Sequence, residues 1–177
     1  AKQLSALSVN LILSARRESE LERVKSNCTQ PNRIRVLSLD LAKTETHAEK
    51  TQAAIALFGQ VDILVNNAGI SQRSLVRDTI LEVDKKLMEV NYLGTVSLTK
   101  LLLPGMMERG KGHFVAITSL TGKFGTPYRS SYAASKHALH GFFDSLRAEL
   151  EDQGISVTLV APGFVKTNVS INALVGD

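Results

Sequence analysis

Short apolar runs alternate with longer, mixed stretches along the chain. Val9-Asn10-Leu11-Ile12-Leu13-Ser14 reads as a strand, followed by a charged helix near Glu18–Lys25. Ile34-Arg35-Val36-Leu37-Ser38-Leu39 is a second strand, and Thr44 or Thr46 can begin a helix running to Phe58. Gly59 supplies its stop, because glycine accepts the left-handed backbone that ends many helices. Asp62-Ile63-Leu64-Val65 is a third strand. A long helical region follows from Leu81 to Met107, where Pro104 should interrupt the backbone ladder. His113 to Thr118 form a fourth strand, Ser130 to Gln153 another helix, and Ile155 to Val160 a fifth strand ended by Pro162-Gly163.

Strands that are nearly all apolar, rich in β-branched residues and separated by helices indicate a parallel sheet covered on both faces. Right-handed crossovers then give an α/β fold with a doubly wound, three-layer arrangement. Such folds bind ligands at the carboxyl ends of the strands. The chemically suggestive residues fall at those ends: Ala15-Arg16-Arg17, Asp40, Asn66-Asn67-Ala68-Gly69, Ser119 and Pro162-Gly163. No internal repeat or low-complexity segment is visible.

The bulk numbers narrow the class without adding to it. The 177 residues suit one domain, and 44% hydrophobic with 21% charged residues is ordinary for a globular protein. The net charge of +4 is spread along the chain without a basic run, so nucleic-acid binding is not demanded. A single cysteine, Cys28, excludes an intramolecular disulfide framework and points to a reducing, cytoplasmic setting. No apolar stretch reaches transmembrane length and no secretory pattern opens the chain, although an anchor in a further segment stays open.

The sharpest chemical feature is Tyr132, with Lys136 four residues later and Ser119 thirteen residues earlier. Neither Tyr92 nor Tyr128 has a lysine four residues on. Residues four apart share a helix face. An ammonium beside a phenol favours the phenolate, which fits a tyrosine for general acid–base work. By spacing alone such residues more often form a surface pair, and Ser119 taken alone reads first as the cap of a turn after its strand. Asn91 lies inside a helical pattern, where asparagine is a mediocre helix former; flanking Val90 and Tyr92 make a buried role for it as plausible as an exposed one.

Together, Asn66-Asn67-Ala68-Gly69, Asn91, Ser119, Tyr132-x-x-x-Lys136 and Pro162-Gly163-x-x-x-Thr167 resemble the classical short-chain dehydrogenase/reductase family, in order and spacing, over essentially the whole chain. The resemblance implies a Rossmann fold spanning residues 1–177 as a single domain. It makes Tyr132 the proton donor or acceptor and gives Lys136 the nicotinamide ribose. Ser119 would hydrogen-bond the substrate oxygen, and Asn91 would hold a water linking Lys136 to solvent. Asn66, Ala68 and Gly69 would line the cofactor, and Pro162, Gly163, Val165 and Thr167 would meet the nicotinamide side. Asp40 matches the position that contacts adenine, or it caps the following helix. The physical logic agrees: hydride addition to a carbonyl builds charge on oxygen, two hydroxyl donors stabilise that charge, and the hydride itself must come from a cofactor.

The residues after the first visible strand select the cofactor. NAD-type folds place an acid there for the ribose 2′-hydroxyl. Here Arg16 and Arg17 offer planar donors suited to a phosphate, so NADP(H) is expected over NAD(H). The alternative is that one of them pairs with Glu18 or Glu20. The family's glycine-rich turn and first strand are not among these residues, since the first glycine is Gly59, and the family continues further past the Pro-Gly motif. The 177 residues therefore read as incomplete at both ends. Gly105 to Gly112 nearly match a phosphate-binding loop, but a helix precedes and a strand follows, the reverse of the required order. His113, His137 and His140 form no convincing metal set with Cys28, so no metal is expected.

The expected activity is an NADP(H)-dependent interconversion of a carbonyl and an alcohol. Leu120, Phe124, Tyr128 and Phe164, with Ser119, should border the small-molecule substrate. A homodimer or homotetramer is expected through the long helices. The competing expectation is a catalytically silent Rossmann-like binding or scaffold protein.

Overall fold

A computed structural model describes residues 1–165, 169 and 171–176. The chain divides into two compact units, residues 1–61 and 62–177.

In the first unit, a short helix α1 (Lys2–Ser5) precedes strand β1 (Leu11–Ala15), helix α2 (Glu18–Ser26), strand β2 (Ile34–Ser38) and helix α3 (His47–Phe58). β1 and β2 pair in parallel, from Leu11 opposite Ile34 to Ala15 opposite Ser38. The first strand starts two residues later than its apolar pattern suggested. Ser8 sits in the left-handed region, with φ of 53°, and Val9 is exposed, so the chain turns before it can pair. Ile34 is fully buried, with Leu21 and Cys28 also buried in this unit. Gly59 ends α3 with φ of 83°, its N–H bonded to the Ile55 carbonyl, as the sequence required.

The second unit contains β3 (Ile63–Asn66), α4 (Leu81–Met88), α5 (Gly94–Glu108), β4 (Gly112–Ile117), α6 (Ser130–Glu149) and β5 (Ile155–Val160). All three strands are parallel in the order β3-β4-β5, with β4 in the middle. Phe114 and Ala116 of β4, Met106 of α5 and Phe143 of α6 are fully buried. α5 lies so close to β4 that a side chain at Gly112 would meet Met106 Cβ at 2.7 Å. Gly112 is thus a packing residue, and Gly105 to Gly112 span the last turn of α5, the connection over 109–111 and the first residue of β4.

The long helical region is broken, but not at Pro104. That proline lies inside α5, on an exposed face where water can take the carbonyl of Lys100 that it leaves unpaired. The break is a π-helical turn over Glu89–Leu93, between α4 and α5, and it carries Asn91. A π turn inserts one residue into the α ladder, and such turns recur at functional sites. α6 ends at Glu149, four residues before the expected Gln153; Gly154 then adopts φ of 70°, close to the Gly110 carbonyl, and leads into β5.

Candidate active site

Helix α6 places Tyr132 and Lys136 one turn apart. Lys136 is only 5% exposed. Its ammonium donates to the Ile117 carbonyl at the end of β4, at 3.0 Å, and lies 5.8 Å from the centre of the Tyr132 ring. Burial lowers the Lys136 pKa from the usual lysine range to about 8. An ammonium has three donors, so two remain beyond the Ile117 bond. On the other side, a Cβ at Gly69 would stand 3.6 Å from Lys136 Nζ and 3.0 Å from Asn91 Oδ1. The glycine ending the Asn-Asn-Ala-Gly segment therefore lets the backbone pass close to Asn91 and the ammonium, where a side chain would crowd the amide. Tyr132 is half-buried, with the Arg129 guanidinium 5.7 Å from its ring centre, and its hydroxyl makes no hydrogen bond to protein among the described residues.

Asn91 is 1% exposed, so the buried reading of this residue holds. Its Oδ1 accepts the Ile70 N–H at 2.8 Å, and its Nδ2 donates to the Ile70 carbonyl at 2.9 Å and to Ser135 Oγ at 3.0 Å. Both amide hydrogens are used. The side chain thus pins the loop after β3 to helix α6, through a serine whose hydroxyl also bonds the Tyr132 carbonyl at 2.8 Å. Ser135 and Ile70 were not singled out from the sequence. The signal available was the serine directly before Lys136.

Ser119 follows β4 and caps a short 3₁₀ turn over Leu120–Gly122. Its Oγ accepts the Thr121 N–H at 3.2 Å and the Thr121 hydroxyl at 2.9 Å. A serine hydroxyl has two acceptor sites and one hydrogen. With both acceptor sites filled locally, the hydrogen is left for another oxygen. The cap reading and the donor reading are therefore the same geometry. Behind this turn, Thr118 Oγ1 bonds the Val160 carbonyl at 3.1 Å and lies 3.1 Å from His140 Nε2. Burial, then the Lys123 charge, lower the His140 pKa, keeping the imidazole neutral.

The Pro162-Gly163 segment reaches the same turn: the Leu120 N–H bonds the Pro162 carbonyl at 3.1 Å, and Leu120 Cδ1 would lie 3.4 Å from a Cβ at Gly163. Leu120, Phe124, Tyr128, Phe164 and Val165 are all exposed apolar residues. Tyr128 adopts φ of 66°, unusual for a bulky side chain, at the approach to α6. Thr167 lies outside the described residues. Asn66 ends β3 and its amide bonds Thr99 Oγ1 at 3.3 Å, tying the strand to α5, while Ala68 is exposed beyond it.

In the first unit, a cleft of about 310 Å³ is lined by Arg16, Ser38, Leu39, Asp40, Lys43, Thr46 and Lys50. It joins residues following β1 and β2 in one place. Arg16 forms no ion pair among the described residues, because Glu20 is taken by Arg23 at 2.8 Å. Arg17 is exposed, next to the start of α2, where it adds a weak attraction on the Glu20 carboxylate. Asp40 Oδ1 accepts the Ala42 N–H at 3.0 Å, and fully buried His47 contacts the Asp40 carbonyl at 3.1 Å. Lys43 and Lys50, which the sequence reading passed over, add positive charge to the cleft; Lys43 was visible only as a cation three residues after Asp40. Among the described residues no group of histidine, cysteine and carboxylate side chains could hold a metal, and no helix is long and apolar enough to cross a membrane.

Parallel α/β layers with a buried lysine beside a tyrosine, a turn-capping serine and a pinned asparagine define the short-chain dehydrogenase/reductase class of site. The chain belongs to this family: the short chain dehydrogenase model matches residues 1–174. It is 51% identical to human dehydrogenase/reductase SDR family member 7 over 100% of the chain and 54% of that protein. It is 47% identical to mouse dehydrogenase/reductase SDR family member 7B, over 100% of the chain and 56% of that protein. The chain thus spans about half the length of the curated relatives it matches. Among solved structures, a short-chain dehydrogenase from Streptomyces avermitilis superposes with a TM-score of 0.87 at 33% identity, over 97% of this chain and 61% of that one. ElxO with NADP bound gives 0.87 at 31% identity, over 93% and 67%.

Proposed function

We propose that the chain carries the proton-transfer site of an NADP(H)-dependent oxidoreductase that interconverts a carbonyl and an alcohol. The observation that carries this is the Lys136 ammonium, buried against one carbonyl beside the Tyr132 ring, with the bare backbone of Gly69 close by. A buried cation with unused donors is costly unless something completes its shell. A ribose hydroxyl pair fits that requirement. The reading takes residues 1–177 as part of one Rossmann-type domain.

The nicotinamide cofactor, when bound, supplies or accepts the hydride. This chain's residues do the rest. Tyr132 gives its hydroxyl proton to the carbonyl oxygen in the reductive direction and recovers it in the oxidative one. Ser119 turns its remaining hydrogen toward the same oxygen as charge grows there. Lys136 would hold the cofactor ribose and places a positive charge beside Tyr132. Asn91 fixes the loop of Gly69 and Ile70 against α6, which holds Gly69 beside Lys136. Arg16, with Lys43 and Lys50, suits a phosphate on the adenosine side, with Asp40 toward the base; NADP bound to ElxO, a relative in fold, supports that preference. The exposed apolar set of Leu120, Phe124, Tyr128 and Phe164 would border a largely apolar substrate.

The test is a panel of ketones and aldehydes assayed with NADPH and NADH on the full-length protein that contains this chain. Turnover that Tyr132→Phe abolishes, with NADPH affinity kept within about threefold, supports the reading. Turnover surviving in Tyr132→Phe removes Tyr132 from the acid–base role. No NADPH binding by the full-length protein would favour a silent scaffold.

A further inference from the structure

Helix α6, which carries Tyr132 and Lys136, begins without a side-chain cap of its own. Arg129 stands at its N-cap position and provides none. The first-turn N–H groups of a helix have no partner within it and must find one elsewhere. Here that partner comes from a distant loop. Gln72, fully buried, points its Oε1 at the Ser131 N–H, at 3.0 Å, and at the Tyr132 N–H, at 3.3 Å. Only an oxygen can satisfy those two donors, so the orientation of the amide is fixed.

The other end of the amide is held as firmly. Nε2 lies 3.0 Å from Thr79 Oγ1, 3.2 Å from Ser74 Oγ and 3.2 Å from Ser130 Oγ. The Thr79 hydroxyl donates to the Leu75 carbonyl at 2.7 Å, so in the 2.7 Å contact between Ser74 and Thr79 it is Ser74 that donates. The hydroxyl oxygens of Ser74 and Thr79 therefore face Gln72 as acceptors. The backbone of Gln72 is fixed separately, through a parallel bridge to Leu174: the Arg73 N–H bonds the Leu174 carbonyl at 2.8 Å, and the Leu174 N–H bonds the Ser71 carbonyl at 2.7 Å. Arg129 and Ser131 are tied in turn to Ser71 and Asp84.

We infer that Gln72 is a positioning residue: it caps α6 from outside and sets where the Tyr132 backbone, and hence its hydroxyl, stands. A cap from Ser or Asp next to the helix would satisfy the same donors but would leave the helix free to shift along the loop. A cap from Gln72 fixes α6 to the segment that continues from Gly69 and Ile70, the same segment that Asn91 pins from the other side. One loop thereby holds Gly69 beside Lys136 and the height of Tyr132 in register.

The catalytic consequence rests on the oxidoreductase reading, and the test separates the two. Gln72→Met keeps the length and removes every hydrogen bond. Gln72→Glu keeps an acceptor for both N–H groups at a helix end that favours negative charge, but sets its second oxygen against the Ser74 and Thr79 oxygens, which must turn a hydrogen toward it. On the full-length protein, Gln72→Met should speed hydrogen exchange at the Ser131 and Tyr132 amides. It should also lower kcat about tenfold or more while the KM for NADPH moves less than about twofold, because the loss falls on proton-transfer geometry rather than on binding. Gln72→Glu should restore protection at these two amides relative to Gln72→Met and recover part of kcat, the lost donor side costing the rest. The inference is overturned if Gln72→Met leaves exchange at these two amides unchanged. It is equally overturned if kcat stays within about twofold of wild type in a background where Tyr132→Phe is inactive. A wild-type protein whose turnover ignores Tyr132→Phe would instead sink the oxidoreductase reading, and the amide exchange would still decide the cap.

Discussion

Asn91 and Ile70 form a reciprocal pair: the side-chain oxygen takes the Ile70 N–H at 2.8 Å while the side-chain nitrogen gives to the Ile70 carbonyl at 2.9 Å. A residue from a π turn thus closes a small ring with a loop 21 positions away in sequence. Replacing it strands several polar groups at once, and each buried group left unpaired costs roughly 1–3 kcal/mol. Asn91→Ala should therefore destabilise the protein by about 2–4 kcal/mol in urea unfolding. A loss below about 0.5 kcal/mol would show that water or a local shift takes over these bonds.

The charge on Lys136 opposes folding. Its pKa falls from 10.5 to about 8 in the folded chain, which corresponds to a cost on the order of 3 kcal/mol with the ammonium charged. Below pH 8 both states hold the proton and the full cost is present. Between pH 8 and 10.5 the unfolded chain binds the proton and the folded chain does not, so stability from this group rises with pH. Lys136→Met should be inactive, yet more stable than wild type at pH 7, with the difference shrinking toward pH 10.5. A variant less stable than wild type at pH 7 would mean that the Ile117 hydrogen bond outweighs the burial.

Thr121 fills both acceptor sites of Ser119 Oγ, at 3.2 and 2.9 Å. Ser119→Ala should lower kcat by about a hundredfold, the usual scale for losing one donor to a developing oxyanion. Thr121→Val keeps the N–H bond and removes the hydroxyl bond, so its effect should be about three- to tenfold, chiefly on kcat. Equal effects of the two changes would contradict a direct role for Ser119.

The cleft lined by Arg16, Lys43 and Lys50 predicts cofactor choice. Arg16→Ala should raise the KM for NADPH at least about tenfold while leaving that for NADH within about twofold, because only a phosphate calls on the guanidinium fork. Lys43→Ala should act in the same direction and more weakly, as an ammonium provides a point charge. Parallel losses for both cofactors in steady-state assays would remove the phosphate assignment.

The strands and most helices were legible because the apolar runs are short, β-branched and punctuated by Gly59 and Pro162-Gly163. Tyr132, Lys136 and Ser119 were legible as candidates because the Tyr-x-x-x-Lys spacing falls on one helix turn and the serine falls at one strand end. The break in the long helix was misplaced at Pro104, since propensity sees a missing N–H but not that water can replace its bond on an exposed face. The π turn at Asn91 left no local mark, because the tertiary bonds to Ile70 and Ser135 stabilise it.

The sequence by itself determined the α/β class, the family and the candidate Tyr132–Lys136 pair, since these rest on local periodicity, on short motifs in a fixed order and on residues one helical turn apart. Tertiary structure alone decided how that pair is held. The cap of α6 comes from Gln72, 60 positions before Tyr132, and Gly69 stands close to a lysine from another element. Hydrogen-bond partners across such separations are set by where the chain packs, and packing is a property of the folded whole.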